Sequence, residues 1–175
     1  MDMPGSAYLF NFSVLALTFA TVSALVMLLR QTMGGRLSNF DIFLASTFIA
    51  VGFADALSAI LPPLISLFEL PPALHWAVSS GLAAILVGAA TAASFRRRLI
   101  LVGKAPPLLQ SLAFLVGGIA TVLLLINATV PPWQGPALHA LGVTLSLASA
   151  MWAFLRRVSS LLGATPGEDW DPKRG

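Results

Sequence analysis

The chain has 175 residues, 57% of them hydrophobic and 10% charged, with a mean hydropathy of +0.88. An average soluble domain carries about 25% charged residues, and a water-soluble fold of this length could not enclose so much apolar surface. The ten Lys and Arg residues lie scattered among apolar runs and form no basic face for nucleic acid, while the absence of cysteine excludes disulfides, thiolate metal ligands and cysteine nucleophiles.

Five apolar stretches meet the span criterion of about 20 residues, at 7–29, 42–61, 73–95, 108–130 and 137–155. None alternates with a period of two, so the predicted fold is all-α: a polytopic transmembrane helical bundle of about five spans filling residues 1–162, followed by a disordered cytoplasmic tail over 163–175. No Lys or Arg precedes the first span, which therefore reads as an anchor rather than a cleaved signal. The second span stops at Pro62-Pro63, yet Leu64, Ile65, Leu67 and Phe68 remain apolar. A kinked extension, a re-entrant piece, an interfacial turn and a sixth segment over 62–72 all fit that pattern. In the third span Ser80, Ala84, Gly88 and Ala92 recur every four positions, a stripe that predicts close helix packing and a central place in the bundle. Gly142, Ser146 and Ala150 give the fifth span a similar seam, and Gly117 and Gly118 thin the fourth.

Every basic residue falls on one side of this arrangement: Arg30 and Arg36 in the first loop, Arg96, Arg97, Arg98 and Lys104 in the third, and Arg156, Arg157, Lys173 and Arg174 after the fifth span. The positive-inside rule assigns that side to the cytoplasm and the N-terminus to the outside. A compact, cysteine-free chain of this kind fits a bacterial inner membrane. Tyr8, Trp76 and Trp133 are expected at the outer interface and Trp152 at the inner one. The arginine run needs no role beyond setting topology. Pro72-Ala73-Leu74-His75 and Pro136-Ala137-Leu138-His139 open the third and fifth spans at an offset of 64 residues, each after a double proline. That spacing suggests a lone helix followed by two parallel-related hairpins.

Asp55 is the one acid expected well inside a span. A charged carboxylate there costs about 2.5–3.5 kcal/mol on insertion scales, so it should face the interior, find a partner or stay protonated. Counting from the outer helix ends places Asn11, Ser13, Ser79, Ser80, Asn127 and Thr144 at comparable depth, with His75, His139 and Glu69 above them. This layer is the candidate site for a proton, ion or small ligand. The bland alternative makes Asp55 structural glue, hydrogen-bonded to a neighbouring hydroxyl or carbonyl.

Catalytic readings fail on chemistry. The Gly52-Phe53-Ala54-Asp55 run is distantly similar to the aspartate motif of intramembrane aspartyl proteases, but those need a second aspartate facing the first. Asp41 lies about 21 Å away along the same helix. No zinc, phosphate-binding or nucleophile-elbow motif is present, and no catalytic residue, metal or cofactor is expected. The two histidines could hold haem or another tetrapyrrole, but as first-turn residues they read more simply as interfacial. The composition thus predicts a non-enzymatic accessory, structural or sensory subunit acting through helix contacts in the lipid bilayer. Its partner would be another membrane protein or a second copy. The alternative is a small transporter or channel working through the layer around Asp55.

Overall fold

The computed structural model describes residues 5–32, 39–103 and 108–162. Within them run five helices, one 3-10 turn at Pro131–Trp133 and no strand: α1 Ser6–Thr32, α2 Asn39–Ser66, α3 Pro72–Val102, α4 Leu108–Thr129 and α5 Pro136–Leu162. All five are long and apolar enough to cross a membrane. Large apolar side chains such as Val14, Leu57, Ile85 and Leu115 stand exposed around the bundle, as a lipid-facing surface requires. The predicted tail, together with Arg36 and Lys104, falls outside the described residues.

Helices α2, α3, α4 and α5 pack in sequence and close into a ring where α5 returns to α2; α1 lies along α2 and touches α5. Neighbours alternate in direction. At one pole Arg98, late in α3, donates from Nε to Gln110 Oε1, early in α4 (2.8 Å). At the other pole the end of α2, the start of α3, the end of α4 and the start of α5 share hydrogen bonds. The first is the arginine pole and the second the proline pole.

Helices α2, α3 and α5 all outrun the apolar stretches that predict them. α2 continues through Pro62-Pro63 to Ser66, after which Leu67, Phe68 and Glu69 each donate to the carbonyl three residues earlier and close the turn. Residues 65–70 are therefore a helix end and a turn, not a sixth span. α3 continues through Arg96, Arg97 and Arg98 and stops only at Gly103, whose φ of +66° is the left-handed cap that glycine adopts without steric cost; its N–H bonds Leu99 O. The arginines expected in a loop are helical, and Arg98 is buried.

The enclosed helix is α2 rather than α3: half of the apolar span of α2 is buried, against a third of that of α3. The stripe that suggested otherwise is not straight. Residues four apart turn about 40° beyond a full revolution, so Ala92 points about 120° away from Ser80. Ser80 and Ala84 are buried, Gly88 is half-buried and Ala92 is exposed. The buried face instead follows Trp76, Ser80, Ala83, Val87, Ser94 and Arg98, in steps of three, four and seven.

The small residues are filled from within the chain. A methyl on Gly52 of α2 would stand 2.9 Å from both Ala16 O and Ala20 Cβ of α1, and one on Gly142 of α5 would stand 2.8 Å from Leu124 Cγ of α4. Between α3 and α4 the fit is reciprocal, Gly88 receiving Thr121 and Gly117 receiving Thr91. Replacing Gly52 with valine should therefore force α1 off α2 and cost about 1–3 kcal/mol. In detergent, Gly52→Val is expected to lower the thermal midpoint, whereas Gly118→Ala, with open space around the new methyl, should leave it unchanged or slightly raised.

Candidate functional site

The proline pole is organised by what proline removes. Pro62 and Pro63 have no N–H, so Ser58 O and Ala59 O lose the donors that the helix would give them. In an apolar bundle a bare carbonyl costs several kcal/mol unless something else binds it. His139, fully buried at the start of α5, reaches across and bonds Ser58 O through Nε2 at 3.1 Å. His75 of α3 bonds Pro62 O through Nε2 at 2.7 Å.

A carbonyl only accepts, so Nε2 of His139 carries the proton and Nδ1 of the neutral ring is an acceptor. That fixes the rest of the chain of bonds. Ser80 Oγ donates to His139 Nδ1 at 2.9 Å, and Asn127 Nδ2 of α4 donates to Ser80 Oγ at 2.6 Å. Asn127 Oδ1 accepts from Gly135 N–H at 2.8 Å, tying the α4–α5 turn to the network. The indole of Trp76 lies between the two imidazoles, with ring centroids 4.9 Å from His75 and 5.9 Å from His139.

Asp55 sits one turn of α2 below Ser58. It is fully buried, and neither carboxyl oxygen has a hydrogen-bond partner; the Ser58 hydroxyl is equally unpartnered. Ser146 of α5 faces the carboxyl at the margin of hydrogen-bonding geometry. Below Ser146 a cavity of about 440 Å³ opens between α2, α3, α4 and α5. Its wall on α5 runs from Ser146 to Arg156, about 15 Å of helix rise. Its wall on α2 ends at Val51, one turn short of Asp55. Phe48 of α2 is part of that wall, held edge to face against Phe154 of α5 and Phe19 of α1 at 5.4 and 6.1 Å. The polar groups thus lie in file: Asn127, Ser80 and His139, then Ser58 and Asp55, then Ser146 and the cavity.

No family model, curated protein or solved structure matches this chain.

Of the residues that depth along the helices suggested, Ser80, Asn127 and His139 are joined directly, with His75 beside them and Asp55 a turn below. Ser79 bonds the carbonyl of His75 in its own helix, and Ser13 that of Phe10. Thr144 bonds Ala140 O and meets the Tyr8 hydroxyl at 2.6 Å. Asn11 is exposed on α1, and Glu69 is exposed in the turn after α2, at a φ of +53°. Both stand apart from the file. Both histidines are buried within the bundle, as is Trp76. Each histidine holds a backbone carbonyl through Nε2, a bond that would have to break before that nitrogen could ligate iron or a metal ion. The two Pro-Ala-Leu-His starts also make unequal contacts. His75 bonds within its own hairpin, whereas His139 crosses to the other one. Pro62-Pro63 lie inside α2, whereas Pro131-Pro132 lie in the 3-10 turn after α4.

The residues that depth counting missed are Ser58 and Gln110. Ser58 serves through its carbonyl, for which the only sequence signal is a proline four residues later. Gln110 was concealed by the assumption that the arginines lay in a loop.

Two outcomes follow for stability in detergent. Asn127→Ala and Ser80→Ala should each cost about 1–3 kcal/mol, because each strands a buried group, and the double variant should cost less than their sum, as it does for members of one network. Asp55→Ala should leave the thermal midpoint close to that of the native chain. There is no hydrogen bond to lose, and removing an unsatisfied carboxyl offsets the small void. A loss of 2 °C or more on Asp55→Ala with no loss on Asn127→Ala would reverse these roles.

Proposed function

We propose that the protein is a small proton-coupled membrane carrier in which Asp55 binds the transported proton at the closed end of a cavity that opens toward the cytoplasm. The observation that carries this reading is Asp55 itself: a buried carboxyl with no partner, one turn from a cavity whose last polar residue faces it. Glue would have a bond to show. Asp55 has none among the described residues, and the cross-linking role belongs to Asn127, Ser80 and His139. An ionisable group kept within the membrane at a cost in stability is by default a functional one.

The distribution of Arg and Lys makes the arginine pole cytoplasmic. In this arrangement the cavity is the inward-facing half of a path. Dry packing around Asp55 is the barrier, and the hydrogen-bonded chain from His139 to Asn127 leads on toward the outer turn at Gly135. A neutral carboxyl is tolerated where it sits. When α2 and α5 part below Ser146, water reaches it and the proton can leave. The path needs relative movement of helices, and the α2–α5 contact is the natural place, because below Ser146 these helices meet through Phe48 and Phe154, and Phe48 is also a wall of the cavity.

A subunit working only through helix contacts has less support, since the small-residue seams that suggested it are filled by α1, α3, α4 and α5 of the same chain. The test is proton uptake by proteoliposomes under an imposed potential, read with an internal pH dye. Asp55→Asn should lower the protein-dependent flux at least tenfold, and Asp55→Glu should retain part of it. Equal flux in the native chain and Asp55→Asn would end the carrier reading.

A further inference from the structure

The cavity has its own chemistry, which Asp55 does not explain. Its wall is largely aromatic and aliphatic, with Phe40, Phe43, Phe48 and Phe114 around the space and Trp152 toward the arginine pole. Neutral polar side chains, Thr47, Thr91, Ser94, Gln110, Ser146 and Ser149, are spaced along it, and no acidic side chain lines it among the described residues. Among the described residues its only charged lining residue is Arg156, exposed where α5 reaches the arginine pole, with the guanidinium 5.9 Å from the ring centroid of Trp152. Across the mouth, Gln110 accepts from Arg98, so a second guanidinium lies behind the wall. The volume of about 440 Å³ is that of a site for one small molecule.

From this polarity we infer that the cavity binds an amphipathic anion, a molecule with one apolar chain or ring system and a carboxylate or phosphate head, with the head at Arg156 and the body lying inward among the phenylalanines. A cation of the same shape would meet Arg156 at the mouth with no acid among the described lining residues to pair it. A fully polar anion would lose its hydration to a wall that returns few hydrogen bonds. An uncharged amphiphile would fill the apolar part but leave the guanidinium with water alone. The guanidinium can bind a carboxylate or phosphate through two N–H groups at once, and the face of Trp152 holds it in place. The inference rests on the carrier reading only where it makes this molecule the cargo; occupancy of the cavity is measurable without transport.

The native chain has no cysteine, so Ser149→Cys, in the cavity wall on α5, gives a single reactive thiol. Its rate of maleimide labelling in neutral phosphatidylcholine nanodiscs reads access to the cavity. Dodecanoate or dodecyl phosphate should slow labelling at least fivefold. Dodecanol should do so less than twofold at the same concentration, and dodecyltrimethylammonium not at all. Arg156→Gln should reduce the effect of dodecanoate to that of dodecanol. The unmodified protein provides a second reading: dodecanoate should raise its thermal midpoint by several degrees, as a ligand of the folded state does, and dodecanol should not.

Slower labelling on changing to nanodiscs that contain phosphatidylglycerol, with no added amphiphile, identifies the occupant as a lipid of the bilayer. Protection by added dodecanoate alone identifies a soluble amphiphile. Either supports the inference. Equal protection by the anionic, neutral and cationic compounds, protection by none, or an Arg156→Gln variant that still prefers the anion would overturn it. The same assay on Asp55→Asn separates the two proposals. Anion protection that survives while proton flux matches the native chain leaves the binding site standing and removes the carrier; flux that depends on Asp55 with no anion preference does the reverse.

Discussion

A proline inside a membrane helix creates a debt in hydrogen bonding that the helix cannot settle by itself. Here the debt is Ser58 O, and the group that meets it comes from another helix, as Nε2–H of His139. The consequences spread from that bond. Because Nε2 must donate, Nδ1 must accept; because Nδ1 accepts, Ser80 donates; and because Ser80 donates, its remaining capacity receives Asn127. One missing N–H in α2 thus orders side chains on α3, α4 and α5 and holds the four helices together at the proline pole.

Against this satisfied network, Asp55 stands out by contrast. A turn of helix separates a carbonyl for which the fold supplies a histidine from a carboxyl for which it supplies nothing. The sterics at that level are exacting in other respects: α1 presses on Gly52, Leu124 on Gly142, and Ala56 and Ala59 are buried flush with their neighbours. A close-packed environment that leaves one acid unpaired is more readily understood as a site kept reactive than as a lapse in packing. The cavity beneath it, apolar for most of its length, ends one turn of α2 short of it.

Hydropathy made the number and approximate position of the helices legible, because about 20 apolar residues in a row have few other fates in lipid. It could not give their rotation. Lipid is as apolar as a bundle core, so the residues that face it resemble those that face inward. Asn11 and Ser13 lie at nearly the same depth on α1, yet Ser13 is buried and Asn11 is exposed. Depth therefore put Ser80 and Asn127 in one layer with His139 above them, the three that the structure joins, while also admitting Asn11 and, above, Glu69. The helix ends were misjudged for a related reason. The arginine run suggests an end for α3 at Phe95, but a helix ends where its backbone is capped, and for α3 that is Gly103. The histidine contacts were hidden for yet another reason, since their partners are main-chain oxygens, which leave no letter in the sequence.

The bond between His139 and Ser58 also has a place in time. The two residues are separated by 81 positions in the chain. During synthesis α2 enters the membrane with its carbonyl bare and remains so until α3, α4 and the start of α5 have followed. The nascent chain cannot complete its second helix until it has begun its fifth. Until then, that part of α2 is satisfied only near water or the insertion machinery. A ribosome that stopped before residue 139 would release a protein whose apolar spans were mostly in place but whose second helix was still unfinished.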